Sequence, residues 1–198
     1  MATVGAEGLP EMTMNPGGEA MTDEFAQILS RVRATYDKFG YGPPSPASEA
    51  DIEEARGWFS DRFGEPMPEE LVEFWRVSAG IEVSGVALWA PKDWEDQYYV
   101  QGVIDTNELY GQDADYDDGS GTRCLIGQRD STVHYLYNLQ NRTWEVVDQF
   151  SMVDVFETYG SLAELASHCL GEGLDQEERS LKMALESDGG SEGGDGGV

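Results

Sequence analysis

The fold of this chain is decided by residues 45–85, SPASEADIEEARGWFSDRFGEPMPEELVEFWRVSAGIEVSG, which carry its clearest helix start and stop signals. Ser48 precedes a series of apolar residues spaced three and four positions apart, and Asp51 follows it at the distance typical of an N-terminal cap. The apolar residues are Ile52, Ala55, Phe59 and Phe63. Gly64 is typical of a helix end. The stretch therefore begins with a capped amphipathic helix.

A second helix and a strand are predicted within the same stretch. Pro66 and Pro68 lead the chain into the helix, because proline already has a helical φ and loses no hydrogen bond in the first turn. Gly80 marks its end. One face of this helix is formed by Leu71, Phe74, Trp75 and Ser78. Ile81, Val83, Gly85 and Ala87 then occupy every second position, which predicts a strand over residues 81–89.

Five later segments also predict strands, the first of them because it is rich in aromatic and β-branched residues. They cover residues 98–104, 123–127, 132–138, 143–148 and 152–159. Residues 139–142 form a four-residue hairpin connection between two of these strands. Residues 107–110 predict one helical turn, and the capping-box pair Ser161 and Glu164 predicts a last helix over residues 161–170.

This order of elements predicts an α+β fold, in which N-terminal helices and one C-terminal helix pack on a single, mostly antiparallel sheet of about five to six strands. A chain of 198 residues fits one domain with flexible ends. We predict a disordered acidic segment over residues 1–22, an additional helix and proline-rich connector over 23–44, a folded domain over 45–170, and an acidic, glycine-rich, largely disordered tail over 171–198.

Three motifs carry a resemblance to a known family. They are FGEPMPEEL at residues 63–71, EFW at 73–75 ahead of Gly80, and VFETYGSLAEL at 155–165. Together they resemble the SUKH superfamily, whose founding member is a yeast cell-wall-synthesis regulator and whose bacterial members mostly look like immunity proteins of polymorphic toxin systems. The resemblance implies a SUKH-like fold for residues 45–170 and a bacterial immunity protein that binds and neutralises a cognate toxin.

The strongest bulk property is negative charge. The chain has 39 acidic and 12 basic residues, a formal net charge of −27, and residues 45–170 alone hold 25 acidic and 7 basic side chains. Such a field repels nucleic acid and anionic membranes, and it accelerates encounter with a basic protein. Like charge also disfavours self-association at low salt. The alternative interpretation is that the acidity only serves solubility.

Few side chains have the spacing of a catalytic or metal site. His134 is predicted in a strand and His168 near the end of the last helix, and neither has local partners that suggest a nucleophile relay. Cys124 and Cys169 match no metal or redox spacing and are expected to be buried. We expect no catalytic residue, metal or cofactor, although folding could still assemble a carboxylate pair from distant acids.

The sharpest local feature is a loop with four aspartates at residues 113–118. Alternate aspartates are typical of a calcium loop, but Asp118 stands where glycine is needed and Cys124 where glutamate is needed. A solvated loop is one alternative, and a negative patch that meets a basic partner beside aromatic anchors is another. The predicted partner-binding residues are Asp93, Trp94, Glu95, Asp96, Tyr110, Asp113, Asp115, Tyr116, Asp117 and Asp118.

The sequence predicts a non-catalytic binding protein. Following the family resemblance, its partner is a cognate toxin of basic, nuclease type, which the acidic surface captures without direct nucleic acid binding. A regulatory scaffold with housekeeping partners is the alternative. The N-terminus lacks the pattern of a signal peptide and no stretch approaches the ~20 apolar residues of a membrane span, so we expect a cytoplasmic protein.

Overall fold

A computed structural model describes residues 17–40, 45–95, 99–111 and 121–188 of the chain. The helices are α1 (Gly17–Phe39), α2 (Glu49–Phe63), α3 (Glu69–Val77), α4 (Val103–Gly111) and α5 (Leu162–Asp188). The strands are β1 (Ile81–Val83), β2 (Val86–Leu88), β3 (Trp94–Glu95), β4 (Tyr99–Val100), β5 (Arg123–Arg129), β6 (Val133–Asn138), β7 (Thr143–Asp148) and β8 (Val155–Tyr159). The predicted α+β class is confirmed.

The main sheet has six strands in the order β1-β2-β5-β6-β7-β8, and every neighbouring pair is antiparallel. Along the chain, a small two-stranded ribbon of β3 and β4 and then α4 lie between β2 and β5, which pair directly with each other in the sheet. The predicted hairpin is confirmed, because Asn138 pairs with Thr143 across a four-residue connection. This simple order leaves β1 at one edge of the main sheet and β8 at the other.

Both predicted helices of the deciding stretch form, α2 with its predicted caps, whereas α3 ends at Val77, three residues before Gly80. The Ser48 side chain accepts a hydrogen bond from the Asp51 N–H at 3.1 Å, which supplies a partner to an amide that the first helical turn leaves free. Gly64 ends α2 in the left-handed conformation, with φ at +71°, and its N–H donates to the Ser60 carbonyl. Pro68 is the N-cap of α3, whose buried face includes Trp75.

Helices cover both faces of the main sheet. His134 and Tyr135 are neighbours in β6, so their side chains point to opposite faces. The His134 ring lies 5.4 Å from that of Tyr110 in α4, whereas Tyr135 lines a groove with Cys169 of α5. Helix α4 therefore lies on one face and α5 on the other, and α1 packs along α5.

The strand predicted over residues 81–89 is instead a hairpin, and that prediction was wrong in its extent. Ser84 and Gly85 have φ angles of +52° and +79°, and a two-residue turn of type I′ requires positive φ at both positions. Burial alternates in β1 but is continuous in β2, so the alternation predicted over residues 81–89 holds only before the turn.

The segment predicted as a strand over residues 98–104 is also shorter than expected. Among the described residues of this segment only Tyr99–Val100 forms a strand, and the helical turn predicted at 107–110 is part of α4, which begins at Val103. Val103 is β-branched but fully buried, so its packing overrides a local preference for strand. Asn107 fixes the helix to β5, because its side-chain amide donates to the Leu125 carbonyl at 2.7 Å and accepts from the Leu125 N–H at 2.9 Å.

The predicted ends of the first and last helices were wrong. Helix α5 continues to Asp188 instead of ending at residue 170, so His168 lies in its second turn and not near its end. Leu174 is fully buried beyond the expected end, and Asp175 pairs with Arg31 of α1 at 2.6 Å. These tertiary contacts stabilise a segment whose composition favours disorder. Helix α1 likewise begins at Gly17, within the segment predicted to be disordered.

Candidate binding surface at the open edge of the sheet

Most of the predicted partner-binding residues lie outside the part of the chain that the structure describes. These are Asp96, Asp113, Asp115, Tyr116, Asp117 and Asp118. Trp94 and Glu95 form strand β3, which pairs with β4. The acidic loop therefore stays a prediction.

Two predicted residues have structural contacts instead of a free surface. The exposed Asp93 accepts a hydrogen bond from the Gly102 N–H at 2.7 Å, and its own N–H donates to Asp105 at 2.7 Å, so it holds the chain that leads into α4. Tyr110 is half-buried against His134, whereas we expected an exposed anchor. The sequence did not reveal that α4 lies on the sheet.

His134 is a core residue whose environment disfavours charge. Its ring is fully buried between those of Trp89 and Tyr110, and neither ring nitrogen has a hydrogen-bond partner among the described residues. Burial lowers the pKa of His134 to about 4, although the negative charge of Asp148 acts in the opposite direction. The imidazole is therefore neutral at neutral pH.

The two edges of the main sheet differ in how they are covered. At the β1 edge, the Tyr36 hydroxyl of α1 donates to the Glu82 carbonyl at 2.8 Å and accepts from the Glu82 N–H at 3.2 Å. These contacts occupy both backbone groups through which a further strand would pair. Strand β8, at the other edge, pairs only with β7 in the described part of the chain, and four of its five residues are exposed.

The hydrogen-bond pattern shows which β8 groups point away from the sheet. The Asp148 N–H donates to the Asp154 carbonyl, so alternate residues of β7, including Val146, direct their backbone toward β8. Glu157 is the partner of Val146 and faces back toward β7. The N–H and C=O of the next residue, Thr158, therefore point outward, and no described residue bonds to them.

Exposed apolar side chains cluster beside this edge. Half of the large apolar side chains that are exposed on the described residues fall within residues 150–156: Phe150, Val153, Val155 and Phe156. Phe150 is 84% exposed and Phe156 56% exposed, which is unusual for phenylalanine. The Asp148 carboxylate holds the turn by accepting from the Phe150 and Ser151 N–H groups at 2.8 and 3.0 Å. Several exposed apolar side chains so close together along the chain are typical of a protein-binding surface.

A groove of about 260 Å³ lies next to β8, between the sheet and α5. Val133, Tyr135 and Val146 give it an apolar floor. Its remaining lining includes Arg129, Phe156, Glu157, His168, Cys169 and Glu172. Burial raises the pKa of the Cys169 thiol to about 12, so the thiol stays protonated at neutral pH. The groove therefore combines an apolar floor with a charged rim.

The rim of the groove is a chain of polar contacts with an excess of carboxylates. Glu157 accepts a hydrogen bond from the Tyr159 hydroxyl, and its Oε2 lies 3.4 Å from His168 Nε2. Glu172 forms an ion pair with Arg129 and lies 4.0 Å from His168. Burial and the Glu157 carboxylate raise the pKa of Tyr159, which keeps it a hydrogen-bond donor.

The basic side chains of residues 45–170 are engaged within the molecule, whereas many acids are not. Six of the seven form ion pairs: Arg56, Arg76, Lys92, Arg123, Arg129 and Arg142. Arg62, the seventh, lies over the rings of Trp58 and Phe63. Exposed acids that pair with no described base include Asp61, Glu73, Glu82, Asp130, Asp154 and Glu164. The surface therefore presents carboxylates without matching cations.

Comparisons of the chain with protein-family models, with curated proteins and with solved structures found no match. The SUKH resemblance consequently stays a prediction. Among the described residues, no group of three or more His, Cys, Asp or Glu side chains is placed to hold a metal ion. The helices in those same ranges are all too short or too polar to cross a lipid bilayer.

Proposed function

We propose that this protein is a non-catalytic binding protein that captures a basic protein. Following the SUKH resemblance, the partner is a toxin of nuclease type, which the protein neutralises. The observation that carries the proposal is the imbalance of charge at the surface: every basic side chain of residues 45–170 is engaged internally, while exposed acids, among them Asp154 beside the apolar edge, pair with no described base. A basic partner would supply the missing cations.

Charge and apolar contact would contribute to different steps of binding. Nucleases bind the phosphate backbone through Lys and Arg, so an acidic protein seated on that surface blocks the substrate without any chemistry of its own. Long-range attraction accelerates association, and desolvated aromatic side chains such as Phe150 and Phe156 slow dissociation. Capture would therefore be fast, strongly salt-dependent and long-lived.

The first test is capture from cells that encode the protein. The immobilised full chain is incubated with lysate, washed at low and at high salt, and the bound proteins are identified by mass. We expect one basic protein with toxin-like activity, and we expect the purified chain to inhibit that activity at equal concentrations. Recovery of several unrelated housekeeping proteins would indicate the regulatory scaffold instead, and salt-insensitive capture would contradict the electrostatic part.

Two sets of charge-neutralising substitutions locate the surface that the captured partner uses. One set is D154N with E157Q, beside the exposed apolar cluster. The other changes the predicted loop, with D113N, D115N, D117N and D118N. We expect the set at the true surface to lower the association rate about tenfold at low salt and to have little effect at high salt. Equal, small effects of both sets would contradict a localised acidic site.

A further inference from the structure

We propose that the partner binds by adding an extended, basic segment to strand β8, so that it becomes the seventh strand of the sheet. This inference rests on the proposed function, which supplies the basic character of the partner. Backbone hydrogen bonds to Thr158 would fix the segment, its cations would meet Glu157 and Asp154, and an apolar side chain would contact Phe156 at the groove. Main-chain pairing of this kind supplies affinity, and alternate side chains supply specificity.

The β8 edge lacks most of the features that protect a free strand. Proteins usually protect such an edge with lysine, proline, a bulge or a covering element. Strand β8 reads VFETY, with no lysine or proline and with four residues of high β-propensity. The pairing of β7 with β8 shifts its register between Val146 and Val147, near the start of β8. Residues 157–159 of β8 pair with β7 without a shift. The opposite edge is covered by Tyr36, so β8 is the open one of the two edges of the main sheet among the described residues.

A second copy of the chain is a poor occupant of this edge. Pairing of two β8 strands would bring the carboxylates of Asp154, Glu157 and Glu164 from both copies to one interface. Each chain also has a net charge of −27, which opposes association. A segment rich in Lys and Arg gains from the same carboxylates. Charge complementarity therefore selects a basic partner over self-association.

Amide hydrogen exchange of the full chain tests the pairing with a defined probe. The probe is a synthetic peptide of four Lys-Val repeats, which alternates cations and apolar residues. Its matched control has the same sequence with every backbone nitrogen methylated, so that neither edge can donate hydrogen bonds or pair closely with a strand. We expect the unmodified peptide to slow exchange of the Thr158 amide at least about fivefold, and the methylated peptide to have no such effect. Equal protection by both peptides, or none by either, would overturn strand addition.

Two variants at one position extend the test to the captured partner. T158P removes the outward N–H without breaking a bond to β7, whereas T158V keeps the N–H and the shape of the side chain. We expect T158P to weaken partner binding about tenfold and T158V to bind like the wild type. A T158P chain that stays folded by circular dichroism and binds normally would refute strand addition and leave the proposed function standing. If T158P does not fold, the exchange experiment decides. If the wild type captures no basic protein, the proposed function fails, and the Lys-Val peptide still reports on the edge.

Discussion

His134 shows how one residue can make the stability of this protein depend on pH. Its ring is buried without hydrogen-bond partners in the described structure, and burial lowers its pKa to about 4 from an ordinary value of 6.5. Between these values the unfolded chain binds a proton that the folded chain does not. The free energy of unfolding therefore falls as the pH drops from about 6.5 to 4, by at most about 3 kcal/mol.

The substitution H134F isolates this effect, because phenylalanine fills the same ring-lined site between Trp89 and Tyr110 and does not titrate. Urea unfolding at a series of pH values from 7 to 5 would compare the two proteins over a range in which carboxylates change little. We expect the wild type to lose stability over this range and H134F to lose much less. Parallel pH profiles would mean that His134 is accessible to protons in the folded state.

At the level of elements, the crossing of α5 over the β1–β2 hairpin depends on a single glycine. A Cβ atom on Gly173 would lie 2.6 Å from the Val83 carbonyl oxygen, which is backbone and cannot rotate away. A Cβ atom on Gly171, two residues earlier in the same helix, would have no heavy atom within 4 Å. We expect G173A to lower the free energy of unfolding by about 2 kcal/mol, because α5 must shift from the sheet. We expect G171A to raise it by about 0.5 to 1 kcal/mol, because alanine favours a helix.

Chemical denaturation of both variants at neutral pH would measure these changes, and each is the control for the other. Stabilisation by G173A would show that the close contact does not exist. The variants G173A and G171A also test the proposed binding edge, since α5 forms one wall of the groove beside β8. G173A should therefore weaken binding of the Lys-Val peptide, whereas G171A should leave it unchanged.

The same elements show what local sequence can and cannot predict. The caps of α2 and the β6–β7 hairpin depend on residues close in the chain, such as Ser48 with Asp51, and were predicted correctly. Gly171 and Gly173 favour a helix end locally, but burial of Leu174 and contact with α1 continue α5 past them. The exposure of Phe150 and Phe156 follows from the position of β8 at the edge of the main sheet. The residues of one strand do not predict where that strand lies in the sheet. The unusual density of apolar residues at 150–156 was the available signal.

For the molecule as a whole, unpaired negative charge should oppose folding as well as attract a partner. Exposed acids such as Asp61, Glu73 and Asp130 form no ion pair with a described base, and their mutual repulsion is greatest in the compact state. Salt screens this repulsion as the Debye length falls from about 30 Å at 0.01 M to about 8 Å at 0.15 M. We expect the melting temperature to rise by a few degrees over that range, which corresponds to about 1 kcal/mol.

Two sets of amide substitutions separate screening from other effects of salt. D61N, E73Q, E82Q and D130N remove unpaired charges, so they should raise the melting temperature at low salt and reduce its salt dependence. E49Q, E54Q, E69Q and D175N remove partners of Arg76, Lys92, Arg56 and Arg31, so they should not stabilise the protein. Equal responses of the two sets would show that net charge alone matters and not its placement. Binding of a basic partner should have the opposite salt dependence, because the ions that relieve repulsion within the chain also screen its attraction to the partner.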